Sequence, residues 1–198
     1  MAPQLYLITP AAADPQSFAT TLATVLEAAP VSALLVRRGA LDDAAYARLG
    51  KALVGVGQAA GCAVLVEDDA ALAVQLGADG VHITGGAAAV RAAVSALKPG
   101  LIVGAGNSKT RHDAMIVGEM NVDYLFFGPL DGASDGNAAE LAEWWAATFE
   151  IPAVLSDPAA TAAVDARGAE FLALSSSVWS ADDPAAAIAA IGSALVTA

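Results

Sequence analysis

Eight short, largely apolar runs recur along this 198-residue chain, each continuous rather than alternating and each separated from the next by a longer, mostly alanine-rich stretch. They are Leu5-Tyr6-Leu7-Ile8, Ala33-Leu34-Leu35-Val36, Ala63-Val64-Leu65-Val66, Gly80-Val81-His82-Ile83, Leu101-Ile102-Val103-Gly104, Tyr124-Leu125-Phe126-Phe127, Ala153-Val154-Leu155 and Phe171-Leu172-Ala173-Leu174. A strand with one face in water alternates apolar and polar residues. A run with no alternation fits a strand covered on both faces, which is the situation in a parallel sheet flanked by helices.

The stretches between the runs carry helix punctuation. Asp42 precedes a segment closing near Gly57, Asp68 precedes one closing at Gly77, and Thr110 precedes one ending near Gly118. Pro158 and Pro184 suit the first turns of two further helices, the former ended by Gly168. An internal echo supports the count. Gly77-Ala78-Asp79-Gly80-Val81, Asn121-Val122-Asp123-Tyr124-Leu125 and Gly168-Ala169-Glu170-Phe171-Leu172 each read helix stop, small residue, acid, strand, roughly 45 residues or two β–α units apart. Eight strand–helix units fill residues 1–198 with nothing left over, which predicts a single-domain α/β fold, the (β/α)8 TIM barrel. The rival is an open doubly wound sheet, but no glycine-rich dinucleotide fingerprint follows the first run.

Composition then excludes classes of function. The hydrophobic share of 57% overstates the core, because alanine sits equally well on helix surfaces. A formal net charge of −12 opposes general nucleic-acid binding and docking on anionic membranes. The opening Met1-Ala2-Pro3-Gln4 lacks signal-peptide character and no run approaches 18 apolar residues, so a cytoplasmic protein is expected. Cys62 is the one cysteine and has no metal-ligand spacing around it.

In a barrel, chemistry gathers where strands run into the following helices. Four of the nine basic residues, Arg37, Arg38, Lys109 and Arg111, fall in those segments, which suits an anionic ligand or, alternatively, salt bridges to Asp42, Asp43 or Asp113. Ser175-Ser176-Ser177 follows the last strand, where barrels often hold phosphate on backbone N–H groups; the alternative is a helix-capping turn. Glu67, Asp68 and Asp69 could serve Mg²⁺ or simply cap the next helix. His82 reads as a core histidine, His112 as solvated, and Trp144 and Trp145 as packing or interface residues that could support a homo-oligomer.

Four blocks resemble the thiamine phosphate synthases and their TenI relatives: Leu5-Tyr6-Leu7-Ile8-Thr9, Leu76 to Ile83, Val122 to Pro129, and Gly168 to Ser176. Their order and spacing match across essentially the whole chain. The resemblance implies the same barrel, and two ligands: a pyrimidine diphosphate, which loses pyrophosphate with Mg²⁺ help, and a thiazole phosphate, whose ring nitrogen captures the resulting cation.

Carried over position by position, the resemblance keeps some residues and loses others. The family's Gln-x-Arg-x-Lys falls on Leu35, Arg37 and Gly39, and its Asn-Asp on Glu67 and Asp68, leaving Arg37 and Asp68 as the implied catalytic pair and Asp68 as the implied metal ligand. The second metal aspartate falls near Ala87, and the serine after the fifth strand at Gly106. The Thr-x-Thr-Lys loop falls near Ala133, Asp135 and Gly136, and the glycine pair becomes Ser156-Asp157, while Ser176 is kept. Glu67, His82, Gly128, Pro129 and Asp157 would line the pocket, and Ser175, Ser176 and Ser177 would hold phosphate. With Asp131, Asp135 and Asp157 where the family holds phosphates, the expectation is a divergent member with weak or no synthase activity that binds a small phosphorylated molecule. A working Mg²⁺-dependent synthase, a TenI-like thiazole tautomerase, and a non-catalytic binding protein are the alternatives. The tautomerase histidine would fall near Ser108, with His112 close by.

Overall fold

The computed structural model describes residues 2–160 and 165–197. Eight strands form a closed parallel barrel in sequence order: β1 Gln4–Ile8, β2 Val31–Val36, β3 Ala63–Glu67, β4 Gly80–Ile83, β5 Ile102–Ala105, β6 Tyr124–Phe127, β7 Ala153–Ser156 and β8 Phe171–Leu174. β8 pairs with β1 through Gln4–Phe171 to Leu7–Leu174 and shuts the sheet. The expected strands are all present: β4, β6 and β8 match, β1, β2, β3 and β7 are longer at one end by a residue or two, and β5 is displaced by one residue.

Helices wrap the outside: α1 Pro15–Ala28, α2 Asp43–Ala59, α3 Ala70–Leu76, α4 Ala87–Leu97, α5 Arg111–Gly118 and α6 Gly136–Thr148. After β8 come a single turn, α7 Ser176–Trp179, and the final helix, α8 Pro184–Thr197. The helix expected between Pro158 and Gly168 includes residues 161–164, which lie outside the described residues; on either side of them, residues 158–160 and 165–168 form turns and irregular backbone rather than helix. Asp42 and Thr110 cap α2 and α5 as expected. One cap is corrected: Asp69, not Asp68, caps α3, its carboxylate accepting the Leu72 N–H at 2.8 Å. Asp68, one residue further from the helix and with a left-handed φ of 53°, has both carboxylate oxygens bonded to Thr84 instead.

The unbroken apolar runs follow from two buried faces. Leu5, Leu7, Leu34, Val36, Val64 and Val66 point outward into the layer between sheet and helices. Tyr6, Ile8, Leu35, Leu65, Tyr124 and Phe126 point inward and fill the barrel. Burying a side chain of this size stabilises by about 1.5–3 kcal/mol, so both layers contribute.

The internal echo has a common structural cause. Asp79, Asp123 and Glu170, each just before an even-numbered strand, accept the backbone N–H of Val64, Val103 and Ala153 near the start of the preceding strand, each at 2.7 Å. A carboxylate thus satisfies an orphan strand-end donor at three places around the bottom of the barrel. Asp123 also takes the Lys98 ammonium at 2.5 Å. Cys62 is buried in the same region, and burial pushes its thiol up to about 12, leaving it unreactive.

Trp145 cannot serve as an interface residue. It is 1% exposed, stacks on Phe149 at 4.0 Å between centroids, and donates its indole N–H to the Ile151 carbonyl at 2.8 Å. Trp144 is half-buried beneath the Arg111 guanidinium, 4.8 Å above its ring. No described helix is long and apolar enough to cross a membrane.

Candidate ligand site at the barrel mouth

A cavity of about 290 Å³ opens at the C-terminal end of the strands, displaced from the barrel axis toward β4, β5 and β6. Glu67 and His82 enter it from β3 and β4, and Thr84 from the loop after β4. Asn107, Ser108 and Lys109 follow β5; Phe126, Gly128, Pro129 and Leu130 come from β6 and its loop; Asp135, Asn137, Ala138 and Leu141 close the far wall. Gly128 is required here: it takes a φ of 117°, and a Cβ would stand 2.8 Å from the Ser156 carbonyl oxygen.

The rim is knitted by polar contacts. Both Asp68 carboxylate oxygens bond Thr84, one accepting its backbone N–H at 2.7 Å and the other its hydroxyl. Asn107 donates to the Thr84 carbonyl at 3.2 Å, and Asn137 to that of Lys109 at 3.3 Å. Glu67 accepts the Arg38 N–H at 2.7 Å, while Tyr46 donates to the Val36 carbonyl and accepts the Glu67 N–H, joining the ends of β2 and β3. Burial raises the Tyr46 hydroxyl above its ordinary range, so it stays protonated for this role.

The predicted site residues divide. Glu67, His82, Gly128 and Pro129 do line the cavity. Arg37, Asp68, Asp157, Ser175, Ser176 and Ser177 are not among the residues lining it. Arg37 pairs with Asp131 at 3.2 Å, and Arg38 pairs with Asp43 and, at 3.9 Å, with Asp69. Asp157 accepts the Ser134 hydroxyl at 2.5 Å. At the serine triplet, the Ser175 and Ser177 N–H groups donate to the Pro158 carbonyl at 3.2 and 2.8 Å, and so does the Ser176 hydroxyl at 3.1 Å. Three of the donors a phosphate would use are therefore engaged, whereas the Ser177 hydroxyl is buried without a partner.

Lys109 was visible in the sequence as one basic residue among four, yet it is the cation that lines the cavity. Thr84 and Asn107 follow the fourth and fifth runs, where chemistry is expected, but carry no further signal, and Asn137 is not signalled at all, because polar loop residues have no periodic pattern. The implied Mg²⁺ fits poorly. Asp68 has both oxygens committed to Thr84, Glu67 has one committed to Arg38, and no cluster of three or more acidic, histidine or cysteine ligands exists among the described residues.

His82 is 0% exposed, and its Nδ1 lies 2.9 Å from the Tyr124 hydroxyl, which lies 3.0 Å from that of Tyr6. Burial lowers the imidazole to about 4, outweighing the opposite pull of Asp68. The ring is therefore neutral near pH 7, and its Nε2 has no hydrogen-bond partner.

Comparison with known proteins places this arrangement. The family described as thiamine monophosphate synthase matches residues 5–178. The thiamine-phosphate synthase of Hyphomonas neptunium is 37% identical, covering 94% of this chain and 91% of that protein. The thiamine-phosphate synthase of Rhodospirillum centenum is 36% identical, covering 94% of each. Among solved structures, thiamine phosphate pyrophosphorylase from Pyrococcus furiosus superposes with a TM-score of 0.83 over 98% of this chain and 96% of that one, at 22% identity. With the family matched over nearly the whole barrel, the chain belongs to the thiamine phosphate synthase/TenI superfamily.

Proposed function

We propose that this chain is a divergent member of that superfamily, which binds a small phosphorylated molecule at the mouth cavity and condenses pyrimidine diphosphate with thiazole phosphate weakly or not at all. The observation that carries the reading is the charge balance of the cavity. Lys109 is the cation in its lining, set against Glu67 and Asp135. The Asp135 carboxylate is partly spent as the α6 cap, accepting the Asn137 N–H at 3.0 Å. Arg37 and Arg38 are closed onto neighbouring carboxylates. One lysine suits one phosphate. A synthase must hold a monophosphate and a diphosphate together, and each unit charge ~4 Å from an unneutralised carboxylate costs about 1 kcal/mol in water and about 4 at an effective dielectric of 20.

Within the site, Lys109 would pair with the phosphate, Asn107 and Ser108 would bond its oxygens, and Phe126 and Leu130 would cover the ligand's apolar body. Asp68 is the residue by which Mg²⁺ would be held by resemblance, but its bonds to Thr84 leave it poorly disposed, and no step is assigned through the metal. The names of the curated relatives favour the working synthase as a second reading. Ser108, where the tautomerase histidine would fall, is buried and supplies no imidazole, and His112 lies exposed on α5, which disfavours the TenI-like chemistry.

Calorimetric titration with thiazole phosphate and with pyrimidine diphosphate, with and without Mg²⁺, tests the reading beside a product assay. Binding of one phosphorylated compound with little turnover is expected. Mg²⁺-dependent turnover of both at the rate of an authentic synthase overturns it, and binding of neither overturns the ligand claim.

A further inference from the structure

The barrel contains a buried polar chain that the proposed chemistry does not use. Tyr6 on β1, Tyr124 on β6 and His82 on β4 are all essentially enclosed, and their polar atoms form the series Tyr6 Oη, Tyr124 Oη, His82 Nδ1 with steps of 3.0 and 2.9 Å. His82 Nε2 is buried and lacks a partner. Counting hydrogens along the chain assigns its direction. If Tyr6 donates to Tyr124 and Tyr124 donates to Nδ1, both hydroxyl protons are used, and the single group left open is an Nε2–H. If Nδ1 donates to Tyr124 instead, one hydroxyl proton is left without a protein acceptor among the described residues, and Nε2 is left as an unfilled acceptor as well. Two buried open groups cost more than one, so the first direction prevails.

The open edge of the ring is directed. Tyr124 begins β6, at the N-terminal end of the barrel, so Nδ1 is held from below. Nε2 lies toward Gly106, just past the C-terminal end of β5, where a Cβ would stand 2.7 Å from it. Gly104, two residues earlier, is filled from the other side: a Cβ there would stand 1.9 Å from Tyr124 Cζ. The two glycines of Gly104-Ala105-Gly106 thus make room for the tyrosine that holds the imidazole and for the nitrogen it leaves open. His82 itself lines the mouth cavity.

We infer that Tyr124, backed by Tyr6, is a positioning residue that locks His82 as the Nε2–H tautomer, so that the imidazole serves the mouth cavity as a neutral hydrogen-bond donor. The ligand atom it selects is an uncharged acceptor, a carbonyl oxygen or an aromatic ring nitrogen, in the part of the ligand distal to the phosphate. Burial among Tyr124 and Phe126 keeps the ring neutral near pH 7, so it neither attracts anions as a cation nor acts as a base through Nε2. The ligand half of this inference rests on the reading of the cavity as a ligand site; the tautomer does not.

The chain has only two histidines, so long-range ¹H–¹⁵N spectra of ¹⁵N-labelled protein resolve both rings, with exposed His112 as internal reference. The expected result at pH 7 is a protonated Nε2 and an unprotonated Nδ1 for His82 in the ligand-free protein. Tyr124→Phe should abolish the bias and give mixed tautomers, while Tyr6→Phe, which leaves the Tyr124 bond in place, should retain it. A protonated Nδ1 in the wild type, or an unchanged tautomer in folded Tyr124→Phe, overturns the inference. If Tyr124→Phe does not fold, the wild-type spectrum alone decides. Saturation with pyrimidine diphosphate, where calorimetry shows binding, should move the Nε2 signal. A bound ligand that leaves it unmoved overturns the donor role, whereas no calorimetric binding of any compound overturns the ligand-site reading and leaves the tautomer to stand on the ligand-free spectrum.

Discussion

A neutral histidine sealed inside a barrel makes folding stability depend on pH in one definite direction. His82 is held at about 4 by burial, against 6.5 for the free side chain. The unfolded chain therefore takes up a proton here that the folded chain refuses. Above pH 6.5 neither state is protonated and the group contributes no penalty; as pH falls from 6.5 to 4 the unfolded state is progressively favoured, and below 4 the loss levels off. At about 1.4 kcal/mol per unit, the ceiling is about 3 kcal/mol, of which about 2 is realised at pH 5. Urea unfolding at pH 7 and pH 5 measures it, with His82→Gln as the comparator that cannot titrate. The wild type should lose about 2 kcal/mol more than the variant over that interval. Equal losses in the two proteins would show that the imidazole titrates alike in both states, refuting the sealed-barrel placement.

Three further outcomes follow from the same geometry. Truncating Asp79, Asp123 or Glu170 to alanine leaves a strand-end N–H without its carboxylate, and should cost about 1–3 kcal/mol each in denaturant unfolding without altering ligand affinity. Trp145→Ala should cost about 3–5 kcal/mol, read as a lowered urea midpoint, because a fully enclosed indole stacked on Phe149 leaves a large void. Lys109→Ala should weaken a phosphorylated ligand by roughly tenfold or more in calorimetry, the loss of one charge-assisted hydrogen bond, whereas Arg37→Ala should change it little.

The barrel was legible because its evidence is repeated. Eight unbroken runs need two covered faces, and the acids at 79, 123 and 170 recur because each answers the same unpaired N–H. The mouth was less so, since its outcome turns on single side chains. Adjacent aspartates at 68 and 69 look alike in sequence; a left-handed backbone at Asp68 sends one to Thr84 and leaves the other to cap α3. Arg37 looked like a ligand-binding cation, but its partner Asp131 arrives from the loop after β6, and no local pattern announces that meeting. Lys109 lines the cavity because that cavity lies off the barrel axis, toward β4, β5 and β6, a placement no local pattern encodes.

The closure of Arg37 is itself shallow, and that bears on how much positive charge the mouth could offer a phosphate. Asp131 is 60% exposed and its partner 16%, so the pair is solvent-screened and worth no more than about 1 kcal/mol. Freeing the arginine should therefore cost little. Asp131→Ala is expected to raise affinity for pyrimidine diphosphate by a few-fold at low ionic strength. The gain should vanish near 1 M salt, where the Debye length falls to about 3 Å, and in the Asp131→Ala/Arg37→Ala double variant. An affinity unchanged by Asp131→Ala would mean that Arg37, whose Nε is buried without a partner, does not reach the ligand even when released. Asp131 would then not be what limits phosphate binding at the mouth.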